Sequence, residues 1–298
     1  MSKSMISLVN IERKFNSKRV LNNLSLTIYE REVTAIIGRN GSGKSTLLNI
    51  MSGLGTFNKG NREVRMSPLN RKLSIGYAPD RFPKLRFTAK EYLLYMGKIR
   101  GMDHEQLLKR ISELFITFQL DTWDTQQLRT FSKGMLQKVN IMQALLEQPD
   151  LLLLDEPLSG LDIQIQDELI HILSQLKGEG VTIVLSTHER DVVQRIADRV
   201  IEIKNGEIAS DKRKSKSTNP YKIVEFIMDE IKAEQCCSHA EGIIRRDKTD
   251  GSWLVHIEAI KCDAFVYNLL NNGGSIVTIG IERTANKDRS ITDTEVMS

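Results

Sequence analysis

The sequence predicts an α/β protein built on a buried parallel sheet, and three features predict it. Val33–Ile37, Leu151–Leu154 and residues 181–185 are continuous apolar runs of strand length, as strands covered on both faces are. Segments with helical spacing of apolar residues alternate with these runs. A glycine-rich turn over residues 38–45 joins the first run to residues 45–51, which have helical composition.

The remaining elements follow in chain order. Ile6-Ser7-Leu8-Val9 and Leu24-Ser25-Leu26-Thr27-Ile28 alternate, as strands with one buried face do. From about residue 80 to 147 the character is helical, with Leu94 and Ile99 on one segment and Leu107, Leu108, Ile111, Leu114 and Phe115 on the next. Leu169, Ile170, Ile172, Leu173 and Leu176 predict a helix between the last two apolar strands. Residues 199–204 and 207–209, joined by Asn205-Gly206, predict a closing hairpin.

Residues 211–219 are polar and basic and predict a solvated linker. Asn219-Pro220 resembles an N-cap with a first-turn proline, predicting an amphipathic helix through Ile223, Phe226, Ile227 and Ile231. Two strands around Asp250-Gly251, a helix over 264–270 and a strand over 276–281 complete a small α/β domain, residues 220–283. Residues 284–298 have little to bury and are expected to be a disordered tail.

Composition narrows the function. The 298 residues carry 42 Lys+Arg against 38 Asp+Glu, a net charge of only +4, so no nucleic-acid partner is expected. With 40% hydrophobic and 27% charged residues the chain has a globular balance. The longest leucine run ends at once in Asp155-Glu156, so no membrane-spanning segment is expected. No secretory leader is expected from the first fifteen residues, and three cysteines make no disulfide framework, which points to a reducing, cytosolic setting. Cys236 and Cys237 with His239 could be imagined as metal ligands, but they match no zinc spacing and are not expected to bind a metal.

Gly38-Arg39-Asn40-Gly41-Ser42-Gly43-Lys44-Ser45 fits the P-loop pattern G-x-x-x-x-G-K-[ST] between a strand and a helix. Its glycines allow successive N–H groups to form a nest for phosphate oxygens, and the following helix adds its positive end. Lys44 is expected to reach the β- and γ-phosphates of a nucleotide, and the loop alone does not choose among kinases, GTPases and ATPases. The Ser45 hydroxyl, beside Thr46, is expected to ligate Mg²⁺. The run 151–154 delivers Asp155 and Glu156 at a strand's C-terminal end, where open α/β sheets bind ligands. Asp155 suits Mg²⁺, and Glu156 suits orienting and deprotonating an attacking water.

With these two motifs in place, residues 5–210 resemble the nucleotide-binding subunit of ABC transporters. Phe15 stands where that family places an aromatic against adenine. Asp80, after Gly76-Tyr77-Ala78-Pro79, holds the Q-loop position, where it is expected near Mg²⁺. Phe131-Ser132-Lys133-Gly134-Met135 matches the signature motif before a helix expected to end at Pro149. Ser159-Gly160-Leu161-Asp162 matches the D-loop, and Ser186-Thr187-His188 the switch histidine. The resemblance implies a RecA-like core with an antiparallel β subdomain and a helical subdomain over about 81–148, in an ATPase domain spanning 1–210. It implies that two such domains pack head to tail around two ATP molecules. Ser132, Lys133 and Gly134 would then face the γ-phosphate held by the second ATPase subunit, Asp162 would organise that subunit, and His188 would hold the γ-phosphate and water. It further implies a permease on a separate chain, met by the segment 80–100, at the cytoplasmic face of the membrane.

Four residues at three places depart from the family pattern. Lys133 and Met135 replace the usual glycine and glutamine of the signature, Asp80 replaces the Q-loop glutamine, and Arg31 replaces a glycine before Glu32. The S-K-G-M form and the C-terminal appendage resemble the drug- and peptide-exporting ATPases of the bacitracin and lantibiotic kind, and Ser290-Ile291-Thr292-Asp293 faintly echoes their C-terminal stretch. Two alternatives share the fold. A soluble, non-transport ABC ATPase is disfavoured by the single P-loop and the lack of sustained heptads. A weakly active sensor subunit is disfavoured by Glu156 and His188 but favoured by Asp80. A GTPase is disfavoured because no N-K-x-D motif is present.

Overall fold

The first two strands, β1 (Ser4–Phe15) and β2 (Lys18–Tyr29), pair antiparallel in a computed structural model that describes residues 3–65, 73–120, 125–214, 221–238, 240–249 and 251–281. After β3 (Val33–Ile37) and α1 (Lys44–Ser52), a short strand β4 (Lys59–Val64) joins them in a three-stranded sheet of order β2-β1-β4. Helices α2 (Ala89–Ile99) and α3 (His104–Thr117) follow β5 (Ile75–Ala78). Thr88 caps α2 in a capping box with Glu91, and Asp103 caps α3. Then come α4 (Lys133–Ala144), β6 (Leu151–Leu154), α5 (Ile163–Gly178), β7 (Thr182–Thr187), α6 (Arg190–Ile196), β8 (Arg199–Lys204) and β9 (Glu207–Arg213).

The central sheet runs β5-β6-β7-β3-β8-β9, parallel except for the β8–β9 hairpin. Its apolar strands have no polar face because both sides are covered. Leu151, Leu153, Ile36 and Val184 pack with α1 and the β1/β2 layer, while Leu152, Leu154, Val33, Ala35, Ile183 and Leu185 pack with the helices. All four leucines of β6 are fully buried, each worth about 1.5–3 kcal/mol. The fold is therefore the α/β architecture expected, with its antiparallel β layer and helical layer.

The chain divides into two compact units, Met1–Lys214 and Ser215–Ser298. In the second, β10 (Tyr221–Ile227), α7 (Glu230–Ser238), β11 (Ile243–Lys248), β12 (Trp253–Glu258), α8 (Ala259–Asn271) and β13 (Ser275–Ile281) follow one another. The antiparallel sheet has the order β11-β12-β10-β13, the split β-α-β arrangement of ferredoxin-like folds. Cys236, Cys237 and Cys262 are buried in its core, where burial pushes their thiols up, and they serve there as small apolar residues.

Several expectations are corrected. Residues 221–227 form the strand β10, not a helix. Val224 and Phe226 are fully buried at a two-residue spacing, and β12 and β13 flank the strand on both edges. The expected linker 211–219 begins too early. Strand β9 continues through Arg213, because Asp211 grips Arg199 at 2.7 and 2.5 Å and Arg213 meets Glu32 at 3.0 Å. Helix α4 stops at Ala144, before Pro149 is reached. Strands β4 and β5 are additions: β4 is polar and largely exposed, and β5 is only four residues long. Arg31 sits at a turn in the left-handed region, φ 59°, a conformation that suits glycine better. Residues 215–219, His239, Asp250 and the tail 284–298 with Ser290-Ile291-Thr292-Asp293 lie outside the described residues.

Candidate functional site

Three neighbouring parallel strands converge on one place. The P-loop leaves β3, Asp155 and Glu156 leave β6, and Ser186 and Thr187 end β7, which lies between them in the sheet. Leu154 is level with Leu185, and Ile37 is level with Thr187. Asp155 therefore comes to lie beside Ser186, at the C-terminal edge where such sheets bind ligands.

Gly43, at the start of α1, has φ 110°, and a Cβ there would stand 2.7 Å from Leu21. Only glycine permits that turn. Lys44 is 6% exposed, and its Nζ donates to Gly38 O at 2.9 Å and meets Glu156 Oε1 at 3.2 Å. Glu156 itself is left-handed, φ 50°, a conformation that costs an ordinary residue roughly 1–2 kcal/mol. Its N–H donates to Ser186 Oγ at 2.8 Å, and its Oε2 lies 2.9 Å from His188 Nδ1. The carboxylate is thus held between a cation and an imidazole.

Beneath it, Asp155 is 3% exposed and accepts from Ser186 Oγ at 2.6 Å and from Ser45. Burial pushes this carboxyl above its usual range and the nearby Asp80 and Glu156 charges add to the rise, while the hydrogen bonds from Ser186 and Ser45 oppose it. Burial and the charges of Asp155 and Asp80 also push Tyr77 up to about 12.

A cavity of about 410 Å³ gathers Asn40, Gly41, Gly43, Lys44, Ser45, Thr46, Asp80, Glu156 and His188. Gly38, Arg39 and Ser42 line a neighbouring cavity of about 620 Å³ on the other side of the loop. Asp80 is half exposed on the rim, 3.9 Å from Arg81, and the strand before it is held by α4. There Asn140 Nδ2 donates to Pro79 O at 2.6 Å and Gln143 Nε2 to Tyr77 O at 2.7 Å.

Other expected site residues stand apart from this cavity. Phe15, at the end of β1, is exposed with the Arg13 guanidinium 4.3 Å above its ring. Ser132 caps α4 through Met135 N at 3.2 Å, and Asp162 caps α5 through Ile165 N at 2.9 Å. Lys133 Nζ donates to Ser159 O, and Gly134 packs against Ile165. Sequence reasoning gave no site role to Ser186, between Asp155 and the Glu156 amide, or to Lys18, Val20 and Ser159 on the cavity wall. Pairing β6 with β7 would have found Ser186, since it follows Leu185 by one residue as Asp155 follows Leu154.

A phosphate nest at a helix N-terminus, a buried lysine and a strand-end acidic pair together define a P-loop nucleoside triphosphatase. The profile of the ABC transporter family matches residues 21–159. Among its relatives is the ABC transporter ATP-binding protein NatA of Bacillus subtilis (strain 168), 35% identical over 215 residues, covering 68% of this chain and 87% of NatA. The linearmycin resistance ATP-binding protein LnrL of the same organism is 31% identical over 212 residues, covering 68% of each chain. Among solved structures, the ATP-binding cassette MJ0796, a dimer in a post-hydrolysis state bound to ADP and Pi, superposes with a TM-score of 0.63 at 28% identity over 70% of this chain and 98% of that one. The chain belongs to the ABC transporter ATP-binding family and is an ATPase.

Proposed function

We propose that the chain is the ATP-hydrolysing subunit of an exporter, driving a permease on a separate polypeptide from the cytoplasmic face of the membrane. The observation that carries the hydrolytic part is the Glu156 carboxylate held between Lys44 and His188 above the P-loop. Lys44 is placed to neutralise the β- and γ-phosphates once they draw it from Glu156. Glu156 then takes the proton of the attacking water, with His188 holding that water and the γ-phosphate in line.

The donor set fits Mg²⁺. Ser45 and the buried Asp155 are hard oxygen donors already in contact, with Asp80 on the rim. Among the described residues no three His, Cys, Asp or Glu side chains gather for a metal, which suits an ion that keeps most of its waters. When bound, Mg²⁺ supplies charge neutralisation on the phosphates.

Ser132, Lys133 and Gly134 at the start of α4 are the anion donors for the ATP of a second ATPase subunit, with Asp162 organising that subunit and Phe15 stacking on adenine. Among the described residues no helix is long and apolar enough to cross a membrane, consistent with spans on a partner. Export is favoured by the Lys133 and Met135 form of the signature and by the resistance function in the name of LnrL. Relatives named for zinc and methionine import match 67% and 70% of this chain, so import is the second reading.

The test is Glu156→Gln, expected to keep ATP binding while slowing hydrolysis about 10²- to 10⁴-fold, as loss of a general base does. Light scattering of this variant should show an ATP-dependent shift from monomer to dimer. Near-normal turnover would remove Glu156 from its role. Direction is read separately, by ATP-driven transport in vesicles containing the permease that co-purifies from solubilised membranes.

A further inference from the structure

The turn that leaves Glu156 and the segment that carries His188 come from different strands, yet one side chain ties them together. Gln166, on the first turn of α5, donates from Nε2 to Leu158 O at 3.1 Å and to Glu189 Oε2 at 3.1 Å, with a longer approach of 3.4 Å to Leu161 O. Leu158 and Leu161 belong to the turn that follows Glu156, and Ser159 N closes that turn by donating to Glu156 O at 3.2 Å. Glu189 follows His188 directly, and its own N–H donates to Thr187 Oγ1 at 3.1 Å. A single primary amide therefore joins the backbone beyond the base to the carboxylate beyond the histidine.

The same turn is held from its other side. Lys133 Nζ donates to Ser159 O across Gly160, whose φ is 63° and where a Cβ would stand 2.6 Å from that ammonium. The turn is thus clamped by α5 through Gln166 and by α4 through Lys133. Glu156 lies at the start of the clamped turn. Its left-handed backbone opens that turn, and its 2.9 Å contact with His188 depends on how the turn and the histidine segment are placed relative to each other. Displacing catalytic groups by about 1 Å is enough to cost about 10²-fold in rate.

We propose that Gln166 is a positioning residue for hydrolysis, its amide fixing the turn after Glu156 to the Glu189 carboxylate so that the base and His188 stay in register. This rests on the roles given above to Glu156 and His188. Gln166 itself does not line the P-loop cavity, and the nest and Lys44 that hold the phosphates are outside the clamp, so the expected effect is on turnover more than on nucleotide affinity.

The experiment is steady-state ATPase kinetics on the full chain carrying Gln166→Met, which keeps the length of the side chain and removes its donors. The expected result is a kcat about tenfold or more below wild type with KM for ATP unchanged. In a His188→Ala background the same substitution is expected to lower kcat no further, because the register it maintains is already lost. Glu189→Leu breaks the same bond from its other end and should reproduce the loss. A wild-type kcat for Gln166→Met, or an equal fractional loss with and without His188, overturns the proposal. Should Gln166→Met fail to fold, a wild-type kcat for Glu189→Leu overturns it alone. Glu156→Gln measured alongside separates the two levels: unaffected Gln166→Met with inactive Glu156→Gln refutes the clamp only, while normal hydrolysis by Glu156→Gln refutes the roles beneath it.

Discussion

The P-loop face and the face formed by the starts of α4 and α5, to both of which we assign phosphate contacts, are organised differently. On the P-loop face the polar groups are tied to one another, and all but the exposed His188 are largely withdrawn from solvent: Lys44 to Glu156, Glu156 to His188, Asp155 to Ser186. Three adjacent strands of a packed sheet position them, so the arrangement is stiff before any ligand arrives. At the starts of α4 and α5 the side chains of Ser132 and Asp162 are exposed, and each satisfies its own helix. What those helices offer outward is the positive end of a dipole. One face holds chemistry preorganised by a core, whereas the other presents exposed helix starts, which we assign to the second subunit.

The strongest way to break this contrast lies on the buried face. Lys44→Met should lower ATPase activity about 10²- to 10³-fold, the loss expected when one preorganised donor is removed from developing phosphate charge. Nucleotide titration alongside turnover would show whether binding fails as well, and an active variant would mean that the buried lysine is only structural. Next in size is Ser186→Ala, expected to cost about 10- to 100-fold because Ser186 orients Asp155, the carboxylate we assign to Mg²⁺. It also carries a pH signature. The Ser186 hydrogen bond favours ionised Asp155 and opposes the upward push of burial, so removing it raises the carboxyl further. The acid limb of the kcat/KM profile should then move to higher pH, and an unmoved limb would dissociate Ser186 from Asp155.

The smallest effect belongs to the exposed face. Ser132→Ala should cost about 0.5–2 kcal/mol of stability through the lost cap, measured by denaturant unfolding, and leave ATP binding by the isolated chain unchanged. Its functional loss should appear only in the ATP-dependent dimer of the Glu156→Gln background. Weakened nucleotide binding by the Ser132→Ala monomer would mean that the two faces are not separate.

The legible parts of the molecule were those whose chemistry lies in one short stretch. The P-loop, the acidic pair and the helix caps each fall within eight residues, where local geometry alone restricts the residue types. Ser186 was not legible as a partner of Asp155, because their proximity comes from the pairing of β6 with β7, thirty-one positions apart in sequence. Gln166 was hidden for the same reason, since its three acceptors come from two separate turns. The misread segment at Ile223 shows the converse. Val224, Phe226 and Ile227 serve a strand or a helix equally well over so short a run, and flanking by β12 and β13 decided the matter.

By itself the sequence determined the chemistry available to this protein: a phosphate nest, a lysine to reach into it, a carboxylate pair at a strand end and an α/β core to carry them. Backbone sterics and hydrophobic periodicity act over a few residues, so they can be read from order alone. The tertiary structure alone decided which of these groups touch. It placed Glu156 between Lys44 and His188, set Ser186 beneath it, and left Ser132 and Asp162 on another surface. Those contacts follow from strand order and register, which depend on how distant apolar faces pack together.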